Sequence, residues 1–169
     1  LVGCDQGNAA RSEKAAKEVE SQVQHTMDQG AKLVYGGVRR GAYYMPTVLD
    51  NCTKDMDICN DMEIFGPVFP VFTFKTLDEA IEIAETSEYG LSAGVITENL
   101  KDAMKVAASL QTGMVAVNGS GGFRAQELPF GGGKKMSGNS RECMSSVLEE
   151  VTQEKSIIFR YAMKKYNET

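Results

Sequence analysis

The chain predicts an α/β fold, a partly parallel sheet with flanking helices. Three observations point there. Extended runs alternate with helical segments, the order that produces parallel pairing through crossover helices. Two of those segments open on cap residues, Asn99 and the pair Thr76 and Glu79. The run Val68 to Phe74 is continuously apolar, as expected of a strand buried on both faces.

Each element follows from its local pattern. Ala16, Val19, Val23 and Met27 recur at helical spacing over residues 12–29, with Ser12 placed to cap the start and Gly30 to end the helix. Lys32 to Tyr35 reads as a strand that stops at Gly36-Gly37, and Tyr43 to Leu49 as a second extended run. After Val68 to Phe74, Thr76 and Glu79 predict a capping box. Leu77, Ala80, Ile81 and Ala84 form the apolar stripe of that helix. Ser92 to Thr97 is the next strand. Asn99 then caps a helix whose stripe is Leu100, Ala103, Met104 and Ala107. Met114 to Val117 is a strand, Met144, Val147, Leu148 and Val151 mark the last helix, and Ser156 to Tyr161 the last strand. No repeat or low-complexity segment interrupts the chain. The glycine-rich stretch 119–138 is its long irregular segment, and long loops inside compact domains are often functional.

The 169 residues suit one ordinary domain. Eighteen basic and twenty-three acidic residues leave a net charge of −5. The basic tracts Lys134-Lys135 and Lys164-Lys165 are too short for a nucleic-acid surface. No apolar run approaches the ~20 residues that span a bilayer, so no membrane partner is expected. The opening residues lack a secretory pattern, and Leu1 rather than Met is expected of a fragment. Cys4, Cys52, Cys59, Cys143 and the single His25 have no ligand spacing, so no metal centre is expected. A domain that builds its own core suits a reducing, cytoplasmic setting. A catalytic thiolate needs a base or a cationic neighbour. His25 is near no cysteine in sequence, so all four cysteines read as structural.

The glycine-rich stretch fails both phosphate-loop tests. Gly119 and Gly121 match a dinucleotide fingerprint, but Arg124 takes its third glycine place; Gly133-Lys134 is followed by Lys135, where a P-loop needs Ser or Thr. A surface turn and a loop lying close to a ligand remain equally open. Glu63 precedes a strand at a turn. Most glutamates are solvated, yet a carboxylate at a strand entrance is also well made to accept from two adjacent hydroxyls, as in ribose recognition. Arg124 has the planar fork that grips carboxylates and phosphates, and reads equally as a surface arginine.

Glu63-Ile64-Phe65-Gly66-Pro67, the strand run behind it, Thr76-Leu77-Asp78-Glu79, Tyr89-Gly90-Leu91-Ser92-Ala93-Gly94, Val117-Asn118 and Pro129-Phe130-Gly131-Gly132 occur in this order. Together they resemble the carboxy-terminal part of an aldehyde dehydrogenase, over nearly the whole chain. The resemblance implies an enzyme whose cysteine attacks an aldehyde, passes hydride to NAD or NADP, and loses the acid through a glutamate-activated water. In that family the nucleophile lies upstream of the helix matched by residues 12–29, and the base and dinucleotide-binding domain further upstream. The chain alone is therefore expected to be inactive.

The resemblance gives residues 1–154 as part of the catalytic domain and 155–169 as an oligomerisation strand and tail, with 155–161 joining a homo-dimer or homo-tetramer. It implies that Glu63 holds the nicotinamide ribose and Phe65 packs beside the nicotinamide. Asn118 then shapes the site, and Phe123 and Phe130 line the substrate entrance, where Arg124 also lies. The family pattern after Pro-Phe-Gly-Gly is one residue shorter than here, so either Lys134 or Lys135 matches its lysine. The alternative from a different class is a stand-alone, non-catalytic binding or oligomerisation module.

Overall fold

The computed structural model describes residues 8–9, 11–132 and 135–160; Cys4, Lys134 and Tyr161 lie outside them. The elements run β1 (Asn8–Ala9), α1 (Glu13–Asp28), β2 (Lys32–Tyr35), β3 (Arg39–Arg40), β4 (Tyr43–Tyr44) and β5 (Thr47–Cys52). Then come β6 (Val68–Phe72), α2 (Leu77–Glu85), β7 (Ser92–Val95), α3 (Leu100–Ser109), β8 (Met114–Val117) and α4 (Met144–Val151).

The caps form as the sequence predicts. Ser12 Oγ accepts from the Ala15 N–H, and Asn99 Oδ1 from those of Lys101 and Asp102. Thr76 Oγ1 accepts from the Glu79 N–H at 3.2 Å. The Glu79 carboxylate, however, takes the Lys75 N–H at 2.7 Å, one residue further back than a capping box requires. The expected extended run at 43–49 divides into β4 and β5, because its residues pair with different strands.

The mixed α/β class holds, with strands in three sheets: β1-β4-β3, β2-β5-β6 and β7-β8. β5 and β6 are parallel, with Leu49 opposite Pro70, and so are β7 and β8, with Ala93 opposite Val115. Pro70 is tolerated because β6 is an edge strand of its sheet, where the missing N–H breaks no ladder. The core joins α1 to β4 and β5: Val19, Val23, Ala31, Tyr44, Leu49, Cys52 and Met56, with Ile58, Ile64, Val68 and Phe72 packed against them.

Two expectations are corrected, and the last strand does not form among the described residues. β6 is not buried on both faces. Val68 and Phe72 turn to the core while Phe69 and Val71 are exposed, because no second layer covers that face among the described residues. α3 buries Ala103 and Val106 and leaves Leu100 and Met104 in the open, a stripe rotated toward β7 and β8. Residues 155–160 form no strand, and Ile157, Ile158 and Phe159 are exposed. A strand exists only by pairing, and no described segment pairs with this one.

Candidate functional site

The turn 63–66 is built by its inward residues. Ile64 packs on the core and Gly66 lies against Val19 of α1, so close that a Cβ there would sit 2.8 Å from both Val19 methyls. Only glycine lets the strand enter at this height. The Gln22 side chain donates to the Glu63 carbonyl at 3.2 Å, and the Pro67 carbonyl accepts from the Thr47 N–H at 2.8 Å. Between these anchors Glu63 and Phe65 alternate outward. Phe65 is 79% exposed, and the exposed Glu63 carboxylate has no hydrogen-bond or ion-pair partner among the described residues. A free carboxylate beside a bare aromatic face, on a backbone held by the core, is a preformed acceptor next to a stacking surface.

Asn118 ends β8 with φ 54°, a left-handed conformation that asparagine tolerates better than most residues. Its N–H donates to the Val95 carbonyl at 2.7 Å and its Oδ1 accepts from the Thr97 N–H at 2.9 Å, so the side chain fastens the ends of β7 and β8 together. Phe123 is exposed on the following turn.

Arg124, Phe130 and Glu142 come together. The Arg124 guanidinium lies 4.4 Å over the Phe130 ring and donates to the Glu142 carboxylate at 2.8 Å. Phe130 and Glu142 exchange both backbone hydrogen bonds. The fork of Arg124 thus already holds a carboxylate of its own chain. Neither Glu63 nor Phe65 is bonded directly to this cluster.

Three features escaped the sequence reading. Asp61 and Lys135 both have positive φ, 64° and 49°. Lys135, not the adjacent Lys134, is the lysine whose placement is described. Its Nζ pairs with Glu85 at 3.0 Å and donates to the Glu85 and Ser87 carbonyls. The third feature is Cys143. It caps α4, with Sγ 3.2 Å from the hydroxyls of Ser145 and Ser146 and accepting from the Ser146 N–H. These hydrogen bonds, Ser145 first, draw its thiol down to about 7. Burial pushes the thiols of Cys52 and Cys59 up. No sequence motif marks Asp61 or Lys135, because their bonds run to a segment remote in the chain. Among the described residues no cluster could hold a metal ion, and no helix is long and apolar enough to cross a membrane.

Residues 4–157 match the aldehyde dehydrogenase family, and the chain belongs to it. It is 40% identical over 145 residues to 3-sulfolactaldehyde dehydrogenase of Priestia aryabhattai, covering 86% of this chain and 30% of that protein. An aldehyde dehydrogenase of Mycobacterium tuberculosis, solved in complex with NAD+, superposes with a TM-score of 0.82 at 34% identity, over 90% of this chain and 32% of its own. The glyceraldehyde-3-phosphate dehydrogenase GapN of Methanocaldococcus jannaschii, complexed with NADP, gives 0.77 at 37% identity over 82% and 30%. The chain therefore spans about a third of the length of the relatives it matches.

Proposed function

We propose that this chain is the carboxy-terminal portion of the catalytic domain of an NAD(P)-dependent aldehyde dehydrogenase that oxidises aldehydes to acids. The observation that carries this reading is the 63–66 turn, with its free carboxylate and bare ring on a backbone locked to α1. The donor set fits the cofactor. Glu63 is a pure acceptor for two adjacent ribose hydroxyls, and Phe65 supplies a flat apolar surface for the nicotinamide. Bound there, NAD or NADP supplies the hydride acceptor. Asn118, Phe123 and Phe130 shape the approach of the aldehyde, and Arg124, neutralised by Glu142 and stacked on Phe130, stiffens that wall. The nucleophile, the base and the dinucleotide-binding domain belong to the rest of the polypeptide, so this chain alone has no turnover. Its setting is cytoplasmic, in keeping with the free thiols Cys52, Cys59 and Cys143.

The exposed apolar side chains support a role as part of a larger body: Phe65, Ile96, Leu100, Met144 and Ile158 are all largely open to solvent. Residues 1–154 are read as catalytic domain. Residues 155–161 are read as a strand that joins the sheet of a neighbouring subunit in a homo-dimer or homo-tetramer, because an apolar, unpaired segment needs a partner. Deleting 155–169 from the full-length protein should lower its mass in light scattering.

The test of the cofactor role is Glu63→Gln in the full-length protein. A hydrogen bond to a charged acceptor contributes about 1.5–3 kcal/mol, so cofactor dissociation should rise roughly 10- to 150-fold. An unchanged dissociation constant and unchanged hydride transfer would remove Glu63 from the site. The second reading, a non-catalytic assembly module, draws on the exposed Ile157, Ile158 and Phe159. Absence of aldehyde-dependent NAD(P)H formation by the full-length protein would favour it.

A further inference from the structure

We propose that segment 85–90 registers the Glu63 turn against the glycine-rich loop, with Asp61 and Lys135 as the positioning residues on its two sides. This rests on the reading of Glu63 as cofactor-holding and of the loop as substrate-facing.

The segment is bonded from both directions. From the turn, two residues before Glu63, Asp61 Oδ1 accepts from Ser87 Oγ at 2.7 Å and from the Glu88 N–H at 2.8 Å. From the glycine-rich loop, Lys135 Nζ donates to the Ser87 carbonyl at 2.8 Å and the Glu85 carbonyl at 3.2 Å, and pairs with the Glu85 carboxylate at 3.0 Å. The Met136 N–H donates to the Glu88 carbonyl at 2.8 Å, and the Gly90 N–H to Ser137 Oγ at 2.8 Å. Ser87 and Glu88 are thus each held by the turn on one side and by the loop on the other.

The backbone carries the same signature at both anchors. Asp61 and Lys135 have left-handed φ, sparsely populated by residues other than glycine. Such conformations persist where surrounding bonds over-determine them. The Lys135–Glu85 pair is largely shielded, unlike the open ion pairs of α1, so it holds its geometry better against solvent. A displacement at Asp61 is therefore passed to Ser87 and Glu88, and from them to Met136 and Ser137. The cofactor turn and the substrate loop move as one body, and each contributes to the affinity of the other's ligand.

The experiment uses the full-length polypeptide carrying this chain. Three variants separate the causes: Asp61→Ala removes the acceptor, Asp61→Gly removes both acceptor and backbone strain, and Asp61→Asn retains a side-chain acceptor. Amide exchange is read at Glu88, Gly90 and Met136, and KM for cofactor and aldehyde beside kcat. Asp61→Ala and Asp61→Gly should speed exchange on the order of tenfold at Met136 and Gly90 as well as at Glu88, and raise both KM values severalfold with kcat little changed. Asp61→Asn should restore both readouts. Lys135→Met should speed exchange at Glu88 from the opposite side, which keeps the test open if the Asp61 variants fold poorly. Faster exchange confined to Glu88, or faster exchange with neither KM altered, overturns the registration. A silent Glu63→Gln alongside intact exchange coupling overturns the underlying cofactor reading instead.

Discussion

Residues 13–72 and residues 92–151 contain similar proportions of apolar side chains but use them differently. In the first region α1 lies across the sheet and closes a core: Val19 is 2% exposed, Val23 1% and Leu49 0%. In the second, α3 buries only Ala103 and Val106, while Leu100 is 74% exposed and Met144 81%. There the close contacts are made by glycine and backbone. A Cβ on Gly113 would lie 1.8 Å from the Gly131 carbonyl oxygen, and one on Gly94 would lie 2.6 Å from that of Gly119. The first region supplies its own cover; the second is shaped to be covered. The closed region makes a rigid base for the Glu63 turn, and the open one carries the glycine-rich loop.

The comparison breaks most sharply by truncation. Leu49→Ala should destabilise the chain by about 2–5 kcal/mol in urea unfolding, the usual range for a buried leucine. Leu100→Ala in the isolated chain should stay within about 0.5 kcal/mol, as for exposed sites generally. A large loss at Leu100 would mean that α3 is already covered. In the full-length protein the same Leu100→Ala should become costly if the rest of the polypeptide lies on α3.

The cysteines sharpen the contrast chemically. Cys52 is buried in the first region and its thiol is raised by desolvation, whereas Cys143 in the second is drawn down to about 7 by Ser145 and Ser146. An ordinary thiol near 8.5 is only about 3% thiolate at pH 7. Cys143, close to half ionised at pH 7, should therefore react with iodoacetamide about threefold faster than an ordinary thiol, because the gain in thiolate outweighs its lower nucleophilicity, and far faster than the buried Cys52. Mass spectrometry of timed quenches checks this. Ser145→Ala with Ser146→Ala should slow Cys143 and leave Cys52 unchanged.

The smallest effect lies at the rim of the closed region. His25 Nε2 and Asp57 Oδ2 are 2.6 Å apart, and this bond holds the Asp57 carboxyl below its usual range, with help from Gln29. A carboxyl lowered in the folded state adds stability above its unfolded value, near pH 4, and loses it as pH falls through the folded value. Both side chains are half-exposed, so solvent screens the pair and the contribution is slight. His25→Ala should flatten the acid limb of the stability–pH curve slightly; an unchanged acid limb would show that another group is responsible.

Much of this was legible in the residues. Ser12, Thr76 and Asn99 announced their helices because a cap is a bond within three residues. The prominence of Glu63 and Phe65 also followed from local order, since alternation through a turn sends i and i+2 the same way. The buried stripe of α3 was misplaced, because Ala103, Met104 and Val106 are all apolar and only the position of β7 and β8 selects among them. The final strand was legible as a propensity and absent as a structure, since Ile157 to Phe159 have nothing described to pair with.

The sequence by itself determined the class of fold, the caps, the turn that presents Glu63, and the kinship carried by widely spaced short motifs. These depend on interactions within a few residues, or on patterns that repeat with the period of one element. Only the tertiary structure decided that Asp61 and Lys135 meet on segment 85–90, that Arg124 spends its fork on Glu142, and that Cys143 lies among hydroxyls. Those outcomes join residues 18 to 50 positions apart or turn on side-chain geometry. Periodicity and composition hold no information at that range, because the bonds are set by how the packed elements bring remote backbone into reach.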